Sequence, residues 1–592
     1  MKELSYLNKY LIKYKSYYLM GTLFILFSTV FAIIPATLIR ETFNLIETGY
    51  KEYINGNLDF KNIIINDVVF YSAAIIISAV FRGILMYMMR QTIIVASRNI
   101  EYDLKNEVYY HYQTLPIQFY KNNNTGDLMN RISEDVSRVR MYLGPALMYG
   151  MNVTILMIMV IPFMFYINST LAFFSILPLP LLVISIYFVQ NIINKRSEKI
   201  QESLSDLSTY VQESFSGIRL IKSFVREGNF SNVFKEKSNQ YKEKSLDLQF
   251  VLALFFPIIM TLIGLSIIIT VYVGALEVFE GTLTIGNIAE FLIYVYLLTW
   301  PVTALGWITS IVQRASASQK RLNEFLEEKT NIISKENKKI DLKGKLEFQN
   351  VSFNYPDTKL VGMDNISFKI NPGESIGIIG STGSGKSTIA NSILRLFDIE
   401  SGKILVDDVN IENLDISFFR KQIGYVPQDV FLFSDTIKNN ILFGCEDLDF
   451  KKVEKAAKDA DLIRNINSFP DKYETMIGER GITLSGGQKQ RISIARAIIK
   501  EPKILILDDC LSAVDTNTEN IILENLKKIM ENRTTIVISH RISSVKLAKK
   551  ILVIEEGKII EKGSHKELIK MKGHYYKLYI KQVEEEKMLR IN

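Results

Sequence analysis

Residues 375–397 read SIGIIGSTGSGKSTIANSILRLF, and the order of residue types in this stretch decides the fold of the chain around it. The apolar run Ser375 to Ile379 has the length of a buried strand, and IANSILRLF has the periodicity of a helix. Between them stand Gly380, Ser381, Thr382, Gly383, Ser384, Gly385, Lys386, Ser387 and Thr388. Strand, glycine loop and helix is the context a phosphate-binding P-loop requires. Glycines let backbone N–H groups close around a β-phosphate, and the helix N-terminus adds its positive dipole. Lys386 is placed to reach the β and γ phosphates and Ser387 to offer its hydroxyl to Mg²⁺, so ATP and Mg²⁺ are the expected ligands.

Working outward, the apolar strand Ile504 to Leu507 ends on Asp508, placed to hold Mg²⁺ directly or through water. Between the two elements, Leu484, Ser485, Gly486, Gly487 and Gln488 form a glycine-rich turn opening a helix from Lys489 to Lys500. That is a second phosphate-binding helix terminus in one domain. A single domain has no use for two γ-phosphate cradles. The second is expected to serve another ATPase domain, in a head-to-tail dimer that sandwiches ATP.

Upstream, the composition changes. The chain has 592 residues, too long for one hydrophobic core, and its long apolar runs lie before Gln313. Six of them are long enough to span a bilayer: Tyr17 to Ile39, Val68 to Met89, Met141 to Ile167, Leu171 to Ile193, Phe250 to Leu276 and Ile288 to Ile311. Runs such as Ile155 to Ile167 argue against buried helices of a large soluble protein. The expected fold is an α-helical membrane domain of six long transmembrane helices followed by an α/β P-loop ATPase domain. Its parts are 1–325 for the membrane domain, 326–343 for a linker, 344–582 for the ATPase and 583–592 for a charged tail. Met1 to Lys15 is amphipathic and charged, without the cleavage site of a signal peptide, so the first run is expected to stay as an anchor.

The net charge of +7 is explained by topology rather than by nucleic acid, because much of the basic excess flanks apolar runs. The polar segments Arg90 to Arg140 and Asn194 to Gln249 are rich in Lys and Arg and read as helices continuing beyond the membrane. The opposite loops carry fewer basic residues. This bias places both termini, both long loops and the ATPase domain on the cytoplasmic side of a cell membrane. The two cysteines, Cys445 and Cys510, make no disulfide framework and fit a reducing compartment.

Within the spans, Arg82 lies 15 residues beyond Asp67, about 22 Å along a helix. A charge at that depth is expected to face a cavity or a partner, as part of a translocation pathway, in an ion pair or snorkelling to the interface. Trp300 and Trp307 are seven apart and share a helix face, where they either stack a flat substrate or pack helices.

These residues resemble the ATP-binding cassette (ABC) transporter family, and the resemblance covers the whole chain. It implies that Tyr355 stacks on adenine, that Gln428 in VPQDVFLFSDTI is the switch glutamine touching Mg²⁺, and that LSGGQ, residues 484–488, is the signature bound to the partner's ATP. Gly478-Glu479-Arg480-Gly481 resembles an exporter-specific loop, Ser512 to Asp515 a dimer-interface loop, and His540 the histidine that senses the γ-phosphate. LPIQFYKNNNTGDLMNRISEDV and QESFSGIRLIKSF resemble the exporter's two coupling segments. A membrane half fused before an ATPase half implies a half-transporter that exports hydrophobic or amphipathic small molecules across the lipid bilayer, with a second half-transporter as partner.

One position departs from that pattern. Most ABC ATPases follow the metal-binding Asp with a glutamate that polarises the attacking water, whereas this chain has Asp508-Asp509-Cys510. Asp509 is one methylene shorter, a recess of roughly 1 to 1.5 Å on an unchanged backbone. Misplacement of about 1 Å can slow a reaction on the order of a hundredfold. Either Asp509 still serves, through a backbone shift or an extra water, or this chain supplies the slow site of a heterodimer, as LDDCLSAVD resembles. A homodimeric lipid flippase, a peptide exporter and an ATP-gated channel or sensor are the competing readings. A soluble DNA-repair ATPase is excluded, because it would carry a coiled coil where this chain has spans.

Overall fold

The computed structural model of the chain describes residues 2–54, 60–445, 449–478, 481, 484–510, 516–531 and 533–591. The chain divides into two units, Met1–Thr114 with Asn123–Glu328, and Leu115–Asn122 with Lys329–Asn592.

In the first unit, six helical segments among the described residues are long and apolar enough to cross a membrane. They are Lys15–Glu52, Ile65–Thr114, Thr125–Ile167, Ser169–Ser216, Glu227–Phe279 and Ile285–Glu327. The six expected spans lie inside them, and each helix outruns its apolar stretch. At 1.5 Å per residue the 53-residue fifth helix is about 80 Å long, far more than a bilayer needs. The polar segments after the second and fourth spans are therefore continuations of the spanning helices. The third segment winds into π-helical turns at Arg131–Asp135 and Tyr142–Ala146, the second of which contains Pro145. Proline has no N–H to give the ladder, and a π turn accommodates the gap. The fourth segment breaks between Ser169–Ile176 and Pro178–Ser216, with Pro178 at the first helical position.

Five of the spans meet in one buried cluster, represented by Ala36, Val160, Leu171, Ile259 and Phe291. The second span packs through Met89 and Ile93 against Ile25 and Met148. Lipid tails are as apolar as these side chains, so association also relies on polar contacts between helices. Ser266 donates to the Ser175 carbonyl at 2.6 Å, and Thr270 donates to the Ser175 hydroxyl at 2.8 Å. The fully buried Glu290 is paired with Arg40 at 3.2 Å and accepts from the Tyr294 hydroxyl at 2.7 Å.

The second unit holds two sheets. The strands are β1 (Leu346–Asn354), β2 (Val361–Ile370), β3 (Ser375–Gly380), β4 (Ser401–Val406), β5 (Val409–Asn410), β6 (Ile423–Val426), β7 (Ile504–Asp508), β8 (Thr534–Ile538), β9 (Lys550–Glu555) and β10 (Lys558–Gly563). An antiparallel sheet runs β2-β1-β4-β5, and a mostly parallel one runs β10-β9-β3-β8-β7-β6. The parallel sheet is covered on both faces, which is why its strands are near-continuous apolar runs. Alternation assigns the faces: Ile504 and Ile506 face one core with β1 and β2, while Leu505 and Leu507 face a helical core with Leu484 and Ile494. Residues 583–591, expected as a tail, belong to the helix His574–Ile591. Tyr575 of that helix is fully buried against Ile379, Val545 and Val553.

Candidate nucleotide site and membrane cavity

The parallel register brings four loops to one edge of the larger sheet. Ile378 lies beside Ile538, Ile538 beside Asp508, and Leu507 beside Val426. The chain leaving these strands therefore delivers Gly380–Lys386, Ser539–His540, Asp508–Asp509 and Gln428 to the carboxyl ends of adjacent strands, where open α/β sheets bind ligands.

The loop after β3 runs into the helix Lys386–Ile393. Gly383 and Gly385 hold φ of +81° and +99°, and a Cβ on Gly385 would lie 2.0 Å from the Gly362 carbonyl oxygen. Glycine is required there by both backbone and space. Ser381, Thr382 and Gly383 are exposed, whereas Ser384, Lys386 and Thr388 are buried. The Lys386 ammonium crosses the inside of the loop, donating to the carbonyls of Gly380 at 3.0 Å and Ser381 at 2.6 Å. Burial pulls its pKa down to about 8, against the opposing fields of Asp509 and Asp508. The Thr388 hydroxyl meets the Tyr355 hydroxyl at 3.0 Å, tying the tyrosine to the loop's end.

Ser387 donates to Asp508 Oδ1 at 3.2 Å. Burial raises the Asp508 pKa to about 6, with Asp509 adding to the shift and Ser387 and Lys386 opposing it. A hydroxyl paired with a carboxylate is the all-oxygen donor set that suits Mg²⁺. Gln428 is exposed two residues beyond β6, with no hydrogen bond among the described residues. Asp509 is buried in a left-handed backbone, φ +46°. Its N–H donates to the Ile538 carbonyl at 2.8 Å, and its Oδ1 accepts from Ser539 Oγ at 3.2 Å. His540 has its pKa lowered by burial and then by Lys386, so its imidazole is neutral near pH 7.

The ABC transporter transmembrane region family matches residues 18–302, and the ABC transporter family matches residues 363–512. The chain is 38% identical over 482 residues to "Probable multidrug resistance ABC transporter ATP-binding/permease protein YheI" of Bacillus subtilis, covering 81% of this chain and 82% of YheI. The chain belongs to the ABC transporter family. Other similar proteins are the multidrug resistance-like ATP-binding protein MdlA of Escherichia coli, 35% identical over 86% of this chain and 87% of MdlA, and an ATP-dependent lipid A-core flippase of Syntrophus aciditrophicus, 33% identical over 86% and 83%. A solved bacterial Atm1-family ABC exporter with ATP bound matches with a TM-score of 0.75 and 25% identity, over 94% of this chain and 99% of that one. This ABC chain is thus an exporter half-transporter with an ATP-hydrolysing domain and a multi-pass membrane domain.

The signature segment begins with buried Leu484, and the helix starts at Gly486, three residues earlier than the sequence suggests. The cause is a capping box. Ser485 Oγ accepts from the Gln488 N–H at 3.4 Å, and Gln488 Oε1 accepts from the Ser485 N–H at 2.9 Å. Gly486 and Gly487 are therefore the first helical turn, and exposed Ser485 caps it. Among the described residues no hydrogen bond joins residues 484–488 to the loop 380–388, and the two stand on different cores. Glu479, Arg480, Ser512 and Asp515 lie outside the described residues.

Two features of this ABC unit were not readable from motifs. Gln582 donates to the His540 carbonyl at 2.7 Å and accepts from the Ile542 N–H at 2.8 Å, clasping the turn that carries His540. No local pattern marks it, because its partners lie about 40 positions away. The short helix Ile117–Asn122, assigned by the sequence to the membrane half, clusters instead with the ATPase unit. Lys121 Nζ lies 5.1 Å from the Tyr355 ring centroid and 5.0 Å from that of Phe397, within cation–π range, which a helix too short to pack by itself needs.

In the membrane unit, Arg82 lines a cavity of about 430 Å³ together with Arg90, Tyr149 and Trp300. Among the described residues it makes no ion pair, so the cavity alternative applies. Trp300 and Trp307 both meet the edge of Tyr149, at centroid distances of 5.4 and 5.6 Å, so their shared face packs helices. Each is still about half exposed, and Trp300 also borders the cavity.

Proposed function

We propose that this chain works as one half of a heterodimeric exporter of hydrophobic or amphipathic compounds, in which the site built on its own P-loop hydrolyses ATP slowly. The observation that carries this reading is the Asp509 carboxylate, one methylene shorter than the family's glutamate and accepting from Ser539 Oγ at 3.2 Å. Gly380 to Thr388 hold the phosphates, Lys386 neutralises them, Ser387, Asp508 and Gln428 take Mg²⁺, and Tyr355 stacks on the base. Bound Mg²⁺ supplies charge neutralisation at the phosphates. His540 contacts the γ-phosphate as a neutral imidazole, and Ser512 and Asp515 line the dimer interface. The segment 484–488, on a different core from its own loop, completes the site of the partner. Closing of the paired ATPase domains drives the membrane halves from inward- to outward-facing, the work coming from differential ATP affinity for the two states. Both termini and the ATPase domain sit in the cytoplasm, following the Lys and Arg bias.

The test of export is ATP-dependent accumulation of fluorescent amphiphiles of both charge types, the basic dye Hoechst 33342 and an anionic NBD-labelled fatty acid, in inverted vesicles carrying this chain and its partner half, accumulation of either one sufficing. Uphill accumulation lost when Lys386→Ala is combined with loss of the partner's own P-loop lysine is the expected result. ATP-gated ion conductance in a planar bilayer without accumulation of either would overturn the exporter reading in favour of a channel. Similarity to lipid A-core flippases favours a second reading, a homodimeric lipid flippase, in which Asp509 itself serves as the catalytic carboxylate.

A further inference from the structure

Arg82, Met86 and Arg90 follow at i, i+4 and i+8 on the second spanning helix and so form one stripe, and all three line the 430 Å³ cavity. Their backbone positions stand about 12 Å apart along the helix axis. Arg90 donates to the Tyr149 hydroxyl at 3.4 Å, and Arg82 has no hydrogen-bond partner among the described residues. Among the described residues no carboxylate lies within ion-pair distance of either, and no Asp or Glu lines the cavity. Glu290, the buried carboxylate of the sixth span, is taken by Arg40 and Tyr294. The rest of the lining is amphipathic: Asn152 offers an amide, whereas Met86 and Trp300 offer apolar surface.

An unpaired cation at membrane depth, as Arg82 is, is expensive and marks a substrate or ion pathway, and Arg90 adds a second positive charge where the apolar run ends. In a low-dielectric cavity they attract an anion strongly and repel a cation equally. We propose that this cavity selects amphiphiles with an anionic headgroup, carboxylate or phosphate, held between Arg82 and Arg90 with the apolar body against Met86 and Trp300. This rests on the exporter reading above and names its substrate class. Lipophilic cations are disfavoured guests.

The chain contains two tryptophans, so Trp307→Phe leaves Trp300 as its sole indole and a reporter of the cavity. The dimer in which the chain is isolated is placed in phosphatidylcholine nanodiscs, with any indole of a second chain replaced by phenylalanine. Quenching is titrated with 12-bromododecanoate, 12-bromododecanol and 12-bromododecyltrimethylammonium. The bromo-carboxylate is expected to bind at least about tenfold more tightly than either analogue, with Arg82→Gln and Arg90→Gln each removing about tenfold for the carboxylate alone. Arg82→Lys, which keeps the charge, is expected to retain the preference and separates charge from folding. Inorganic phosphate, lacking a chain, is expected not to displace the carboxylate at equal concentration.

Equal or tighter binding of the ammonium or alcohol, or Arg variants that weaken all three alike, would overturn the anion preference. Displacement by inorganic phosphate would overturn the amphiphile and leave a bare anion. Binding is read without ATP. A failure of transport would therefore refute the exporter reading without touching this result, and equal quenching would refute the anion preference while export stands.

Discussion

Asp509 combines two properties that act against each other on substitution. Its left-handed backbone, φ +46°, suits Asp better than Glu, because a short polar side chain bonds locally in that region. Its carboxylate, which accepts from Ser539 Oγ, is one methylene short of a glutamate's reach. Asp509→Glu is therefore expected to lower the melting temperature slightly while raising turnover at this site, by up to about a hundredfold, measured in the heterodimer with the partner's site silenced. Gly385→Ala meets both a positive φ and the Gly362 carbonyl. It is expected to destabilise by at least about 1–2 kcal/mol and to abolish the ATP-induced rise in melting temperature, both read in one thermal-shift series. Lys386, with its pKa at about 8, gives a pH signature. Above pH 8 ATP binding must take up a proton at this group, so ATP affinity is expected to fall about tenfold per pH unit in a fluorescent-nucleotide titration. The sign for stability is opposite, because between pH 8 and the unfolded lysine value the unfolded chain holds more protons at Lys386. The composition of this loop was legible from sequence, since strand, glycines, Lys and helix are contiguous. The hydrogen bond from Ser539 to Asp509 was not, because it depends on the neighbouring strand β8.

Elements read well from sequence where one periodicity runs unbroken, as in the six apolar runs and in β3 and β7. They read poorly where tertiary contacts set the boundary. The signature helix gained a turn through the Ser485–Gln488 capping box, and the helix Ile117–Asn122 found its neighbours in Tyr355 and Phe397. The helix His574–Ile591 matters through Gln582, which clasps the His540 turn from both sides. Gln582→Ala leaves the Ile542 N–H without its acceptor, a loss of about 1–3 kcal/mol. It is expected to reduce the kcat of ATP turnover about tenfold with KM unchanged, and Gln582→Glu, which retains the acceptor, should recover part of the loss. Tyr575→Ala in the same helix empties a fully buried site and should cost about 3–5 kcal/mol, read by denaturant unfolding of the ATPase unit.

At the scale of the whole molecule, the chain carries one P-loop and one signature end on separate hydrophobic cores. A catalytic sandwich is therefore assembled with a second copy of these parts. Six spans among the described residues, where a full pathway needs about twelve, say the same of the membrane half. Whether the second half is identical turns on Asp509. The measurement that bears most directly is ATP turnover by this chain purified alone and together with a different half-transporter that co-purifies with it, each with and without Asp509→Ala. The heterodimer account predicts slow turnover alone, robust turnover by the pair, and little loss in the pair on Asp509→Ala. Robust hydrolysis by the isolated chain, abolished by Asp509→Ala, would contradict it.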